Sequence, residues 1–310
     1  MQPKAIQELF DTHGRMNAIL GVEIPNTTGI NQTTIPYYYI DPPTEIIKNS
    51  DPMAPIGTAA DGTQIWKVTH NGVDTHTIHF HMFNVQVINR VGWDGAIRPP
   101  DGNELGWKES VRMNPLEDAI VALRPIVPNV PWDLPNSVRL MDVTSPAGST
   151  TGFTGVDPLN QPAPVTNQLV NFGWEYVWHC HLLGHEENDM MRPIIFALAP
   201  KVPGRPTATA APGRTVNVAF LDNSMNETGF TIQRATAPGG PWTTVGTKTG
   251  VAGTGSAVTY TETVPPGTYW YRVIANNVLG YTQTYAPPAV GYPNTSLDSA
   301  PTARSNSVTP

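Results

Sequence analysis

The sequence predicts an all-β protein built as two antiparallel sandwiches. Proline (32) and glycine (27) make up about a fifth of the 310 residues, and charged residues only 14%. Such a mix disfavours long helices and favours short strands joined by turns. Apolar and polar residues alternate in short runs, the pattern of strands with one buried face. The length exceeds what one hydrophobic core usually serves, which implies two domains.

Residues 1–48 hold little alternation and read as an arm, or as the remnant of an upstream domain. The first sandwich is expected over 49–200. Within it, 79–88 (HFHMFNVQVI) alternates with period two, as do 109–113 and 119–123 on either side of a proline-containing turn. Residues 176–181 form another extended run, and 193–198 close the block. Residues 125–171 are rich in Pro, Asn, Gly and Thr and read as a long irregular excursion; loops of that length inside a domain tend to be functional. The stretch 201–206 (KVPGRP) reads as a linker. Strand candidates then recur within 207–290, at 215–220, 229–235, 242–247, 257–262, 268–276 and 281–285. This is the spacing of a small immunoglobulin-like sandwich. The polar tail 291–310 is expected to be disordered.

Charge is uneven. Residues 1–200 carry 11 basic and 21 acidic side chains, whereas 207–310 carry 5 and 4. An acidic first part argues against nucleic acid as a partner, which needs a basic face, and leans toward cationic or neutral ones. No apolar run is long enough to span a membrane, and the first ten residues lack the apolar core of a secretory signal. The single cysteine, Cys180, excludes an internal disulfide framework and any multi-cysteine zinc or iron–sulfur site.

Six of the eight histidines fall in two clusters. One is His76-Thr-Ile-His79-Phe-His81. The other is His179-Cys180-His181, followed by His185 and then Met190. On a strand, His179 and His181 share one face about 7 Å apart, and Cys180 points to the other. His79 and His81 repeat that spacing, so four imidazoles from two strands can form half of a metal cage. His185 can fold back from the strand end toward Cys180, Met190 follows on the same turn, and His76 precedes the other strand. One thiolate, two imidazoles and a thioether make the ligand set of a blue-copper site. The backbone joins Cys180 covalently to both flanking histidines, a short route for electrons between two metal sites. His13 and His70 are isolated and read as structural or exposed.

The pattern H-x-x-H-x-H followed by H-C-H-x3-H-x4-M resembles the C-terminal cupredoxin domain of a multicopper oxidase, and residues 7–22 and 41–45 resemble interdomain segments of the large bacterial type. Residues 76–87, 106–123 (GWKESVRMNPLEDAIVAL) and 171–193 (NFGWEYVWHCHLLGHEENDMMRP) share the resemblance. It implies a cupredoxin-like Greek-key sandwich and a type 1 copper held by His76, Cys180, His185 and Met190. It also implies that His79 binds a type 2 copper, and that His81, His179 and His181 bind a type 3 pair. Glu186 resembles an acidic residue that passes protons toward dioxygen. The implied activity is one-electron oxidation of a phenolic or metal-ion substrate, coupled to four-electron reduction of dioxygen to water, outside the cytoplasm in the periplasm or beyond. Residues 229–235 (GFTIQRA) and 266–280 (PGTYWYRVIANNVLG) resemble a fibronectin type III module, with Phe220 where that module usually has a core tryptophan.

The family's trinuclear cluster uses eight imidazoles, and this chain offers four. The others come from two H-x-H motifs of an N-terminal cupredoxin domain, and no such motif stands elsewhere in the sequence. The expected partner is therefore a domain or chain supplying them. The alternative is an electron-transfer or copper-binding module without oxidase activity of its own.

Overall fold

The computed structural model of the chain describes residues 1–24, 33–48, 62–126 and 128–310. The expected domain boundary at residue 49 lies outside the described residues. Among those described, the regular secondary structure is almost wholly β, and the chain divides into two compact units. The first comprises Met1–Asn129, Ser137–Ala197 and Gly280–Asn294; the second comprises Val130–Asn136, Leu198–Leu279 and Thr295–Pro310.

The first unit holds, in chain order, β1 (Gln2–Phe10), β2 (Met16–Glu23), β3 (Thr34–Pro36), β4 (Glu45–Lys48), β5 (Gln64–His70), β6 (His76–Phe80) and β7 (Phe83–Gly92). There follow β8 (Ile97–Arg98), β9 (Ser110–Met113), β10 (Glu117–Pro125), β11 (Val138–Leu140), β12 (Leu169–Asn171), β13 (Trp174–Cys180), α1 (Leu183–Glu186) and β14 (Met191–Ala197). Two sheets result, ordered β3-β2-β1-β5-β10-β7-β8 and β4-β14-β13-β6-β9. Pairing is antiparallel except for β1 with β5 and β4 with β14. Aromatic rings from both sheets meet in the core: Trp66 lies edge-on to Phe80, Phe83 and Trp178 at centroid distances of 5.8, 5.9 and 5.3 Å. Such pairs add about 0.5–1.5 kcal/mol each beyond the area they bury. Arg192, fully buried at the start of β14, donates to the carbonyls of Tyr38, Asp41 and Pro42 and so fixes the 38–42 turn.

Three expectations change here. Residues 1–48 are not an arm, because β1 and β2 sit inside the larger sheet. Their alternation is weak because most of β2 is buried irrespective of which face a residue occupies, which removes the period-two signal. The run 79–88 is not one strand; it breaks between β6 and β7, where Met82 takes a left-handed φ of 65°. Residues 281–285 are not a strand of the second sandwich, since Gly280–Asn294 belongs to the first unit. The carboxylate of Asp157 holds that segment. One oxygen accepts the N–H groups of Val290 and Gly291, and the other those of Leu159 and Gln161. Within the excursion, residues 138–171 are thus ordered by polar side chains such as Asp157 and by the β11–β12 pair.

The second unit contains β15 (Thr207–Ala211), β16 (Thr215–Leu221), β17 (Gly229–Ala235), β18 (Thr243–Thr249), β19 (Ala257–Thr263), most of β20 (Trp270–Gly280) and most of β21 (Asn294–Asp298). β16 lies between β15 and β19, and β17 between β18 and β20. Phe220 fills the core against Phe230, with ring centroids 5.1 Å apart. Tyr269 donates its hydroxyl to the Pro265 carbonyl at 3.0 Å, a tyrosine corner.

The tail is also a correction. Residues 299–308 lie along β20 rather than in solvent. The N–H groups of Ser299, Thr302, Ser305 and Val308 donate to the carbonyls of Ala275, Val273, Tyr271 and Tyr269. The hydroxyls of Ser299, Thr302 and Ser305 accept the N–H groups of Ala275, Val273 and Tyr271. A polar composition suggests disorder, but here each third side chain supplies the acceptor that a paired strand would provide.

Candidate metal centre

β6 and β13 run antiparallel, with His79 directly opposite His179 and Ile78 opposite Cys180. Successive strand side chains leave opposite faces. Parity therefore sorts the ligand candidates. His76, Ile78 and Phe80 share the inner face with Trp178 and Cys180, all buried. His79 and His179 project from the other face.

The chain after Cys180 is short and tightly turned. In α1, the N–H groups of His185 and Glu186 both donate to the Leu182 carbonyl. Asp189 then takes a φ of 60°, which reverses the backbone. Met190 donates its N–H to the His185 carbonyl and accepts the Cys180 N–H on its own carbonyl. His185 returns to the cysteine this way, and Met190, fully buried, is anchored beside both.

On the inner face, Cys180 Sγ lies 3.4 Å from His185 Nδ1 and 3.6 Å from His76 Nδ1, and the two Nδ1 atoms are 3.2 Å apart. A first-row ion with bonds of about 2.0 Å to nitrogen and about 2.3 Å to sulfur spans edges of about 3.5 Å in a trigonal arrangement. The proton of the His76 ring belongs elsewhere: its Nε2 faces a Glu8 oxygen at 3.1 Å, while His185 Nε2 lies 3.7 Å from Asp74 Oδ2, beyond hydrogen-bond reach. Burial pushes the Cys180 thiol up, against the N–H groups of Thr77 and Leu182. A bound metal deprotonates such a thiol outright. Burial also lowers His76, partly offset by Glu8, and so keeps its lone pair available.

The outer face collects imidazoles of the opposite tautomer. His79 Nδ1 is 2.8 Å from the Glu109 carbonyl, and His179 Nδ1 is 3.1 Å from the Cys180 carbonyl. Each ring donates there and leaves Nε2 bare. His179 Nε2 stands 3.3 Å from His81 Nε2, and one ligand atom from each of His79, His81 and His179 fits within 4.8 Å. His181 is more exposed, its ring 5.4 Å from that of His179 and 5.6 Å from that of His79. Glu186 reaches both flanking histidines, at 3.2 Å from His181 Nδ1 and 3.6 Å from His179 Nδ1. Burial first, and then the neighbouring imidazoles, lower His81. Burial also lowers His179, so these rings stay neutral and able to donate lone pairs. A cavity of about 360 Å³ opens beside His79 and His81, bordered by Met82, Glu109 and Tyr176.

All eight metal-ligand candidates and Glu186 thus lie around one strand pair. Glu8, His70 and Asp74 also stand at this site without having been singled out as functional. Glu8 sits on a strand that reads as an arm, and nothing near it in sequence marks it. Asp74, two residues before His76, carried the signal of proximity.

A laccase of Haloferax volcanii is 32% identical over 145 residues, covering 47% of this chain and 17% of the relative. A laccase of Bacillus subtilis is 25% identical over 145 residues, 43% of this chain and 20% of the relative. A rice (Oryza sativa subsp. japonica) protein, multicopper oxidase LPR1 homolog 3, is 25% identical over 181 residues, 50% and 26% respectively. The chain spans about a fifth of the length of these curated relatives. Among solved structures, the McoA multicopper oxidase of Aquifex aeolicus overlays at 18% identity and a TM-score of 0.31, covering 62% of this chain and 28% of that one. A Fn3-like protein of Clostridium thermocellum overlays at 25% identity and a TM-score of 0.22, covering 36% and 96%. No family model matches the chain. Over about half of its length the chain is similar to laccases and multicopper oxidases, and its His76, Cys180, His185 and Met190 cluster resembles a type 1 copper site.

Proposed function

We propose that this chain is the C-terminal copper-binding part of a multicopper oxidase, acting outside the cytoplasm. His76, Cys180, His185 and Met190 would hold a type 1 copper. His79 would serve a type 2 copper, and His81, His179 and His181 a type 3 pair completed by two H-x-H motifs of another cupredoxin domain. Bound copper supplies one-electron chemistry: electrons taken singly from a phenolic or metal-ion substrate reduce dioxygen to water in a four-electron step.

The observation that carries this reading is the Cys180 position. Its thiol joins the inner set at 3.4 Å from His185 Nδ1, and its backbone continues directly into His179 and His181 of the outer set. The residues prepare both sets for metal. The Glu8 carboxylate holds Nε2 of His76, and carbonyls hold Nδ1 of His79 and His179, so an unprotonated nitrogen is presented on each side. Glu186 would hold a proton at its Oε1 beside the outer set, a role supported by its reach to His181 and His179.

Copper-loaded chain should show the intense thiolate-to-copper band in the visible, and Cys180→Ala should remove it. Persistence of the band in that variant would sink the assignment. The outer set has half the imidazoles that the family's cluster uses, which favours a second reading for the isolated chain: an electron-transfer or copper-binding module. Oxygen uptake by the copper-loaded chain alone, compared with uptake after adding an N-terminal cupredoxin half, separates the two.

A further inference from the structure

The inner histidines need their protons on Nε2 to present Nδ1, and the structure holds one carboxylate built for that purpose. Glu8 projects from β1, in the larger sheet, toward His76 in the smaller one. Its Oε2 accepts the Val73 N–H at 2.8 Å. Its Oε1 accepts the Asp74 N–H at 3.0 Å and lies 3.1 Å from His76 Nε2. An ionised carboxylate only accepts hydrogen bonds, so the proton between Glu8 and His76 sits on the imidazole.

His70 closes the arrangement from the other side. Its Nε2 lies 2.6 Å from the Asp74 carbonyl, and its Nδ1 accepts the Gly72 N–H at 3.3 Å, so both nitrogens are occupied. Its ring packs edge-on against His76 with centroids 4.9 Å apart. Glu8, His70 and His76 come within 4.8 Å of one another, but both His70 nitrogens and His76 Nε2 are already engaged in hydrogen bonds. The trio is therefore a brace for His76 and not a separate cation site.

Gly72 is the second observation. A Cβ built there would lie 2.1 Å from the Glu8 carboxyl carbon and 2.3 and 2.4 Å from its two oxygens. Any side chain at 72 would displace that carboxylate while leaving its chemistry intact.

We propose that Glu8 is the positioning residue of the inner metal site: by accepting the Nε2 proton of His76 it fixes the ring tautomer and orientation that aim Nδ1 at Cys180 and His185. This rests on the type 1 reading for its consequence, but not for its geometry. Groups that orient a ligand histidine typically change metal affinity 10–100-fold when removed.

The test uses the full chain at one pH. Nitrogen-15 NMR of the metal-free protein reads the His76 tautomer without any copper, and the expected result is a single Nε2–H form. Glu8→Gln presents an amide that can donate to His76, and Gly72→Ala displaces the carboxylate by sterics. Both should yield mixed tautomers and weaken copper binding at the thiolate-absorbing site 10–100-fold. Glu8→Asp, one methylene shorter, should recover part of the loss. A wild-type His76 protonated on Nδ1 would overturn the proposal even if no variant folds. So would an unchanged tautomer and affinity in both variants. Should wild type bind copper with no thiolate band, the type 1 reading fails while the tautomer measurement still decides the role of Glu8.

Discussion

His179 stands directly opposite His79 across the β6–β13 ladder, with ring centroids 5.4 Å apart, and one step along the same ladder Cys180 faces Ile78. A single register thus delivers the His79 and His179 imidazoles to one face and the Cys180 sulfur, with His76, to the other. A slip of one residue would exchange them.

The two faces should lose metal independently. Cys180→Ala is expected to abolish the visible band yet leave copper bound through His79, His81 and His179. His79→Ala combined with His179→Ala should do the reverse, keeping the band while total copper per chain falls. Metal analysis beside absorption spectroscopy checks this, and parallel loss of both signals in either variant would contradict it.

Met190 is fully buried and bonded through its backbone to Cys180 and His185. Met190→Leu should keep the fold and the colour, because volume is nearly conserved. Loss of a weak axial donor should raise the reduction potential. A tenfold loss of preference for the oxidised ion corresponds to about 59 mV, and a shift of about that size is expected in a redox titration.

Glu227 sets a pH dependence in the second unit. Burial first, and then the Asp222 carboxylate, raise it from 4.5 to about 7, and one oxygen of each group has no hydrogen-bond donor. The folded chain holds this proton more tightly than the unfolded chain. Its contribution is therefore fully present below about pH 4.5 and lost as pH rises through about 7. Glu227→Gln keeps an acceptor for Val251 N–H, adds a donor toward Asp222 and does not titrate. Thermal unfolding should show the variant gaining on wild type between pH 5 and pH 8; parallel curves would refute the assignment.

The tail should matter despite its composition. Thr302→Val removes the acceptor for the buried Val273 N–H and should cost about 1–3 kcal/mol. Deleting residues 299–310 uncovers the edge of β20, and should lower stability further and promote association through that edge. Urea unfolding and light scattering provide the readouts.

Much of the site was legible in the sequence because its residues are close together along the chain. H-x-x-H-x-H and H-C-H-x3-H-x4-M encode strand parity and a tight turn, so local geometry alone fixed which donors share a face. The place of Phe220 in the second module followed from a similar short-range pattern. By contrast, β2 was hidden, because a strand buried on both faces loses alternation.

What the sequence by itself determined is the donor inventory: one sulfur, paired imidazoles and the spacing that separates them. The tertiary structure alone decided which lone pairs are free. Glu8 lies 68 residues from His76 in sequence, and the Glu109 carbonyl lies 30 residues from His79. The tail hydroxyls likewise meet β20 only in the fold. Hydrogen bonds are short-ranged and directional, so the partner that pins each ring can come from any strand that packing brings within reach, and no local pattern records it.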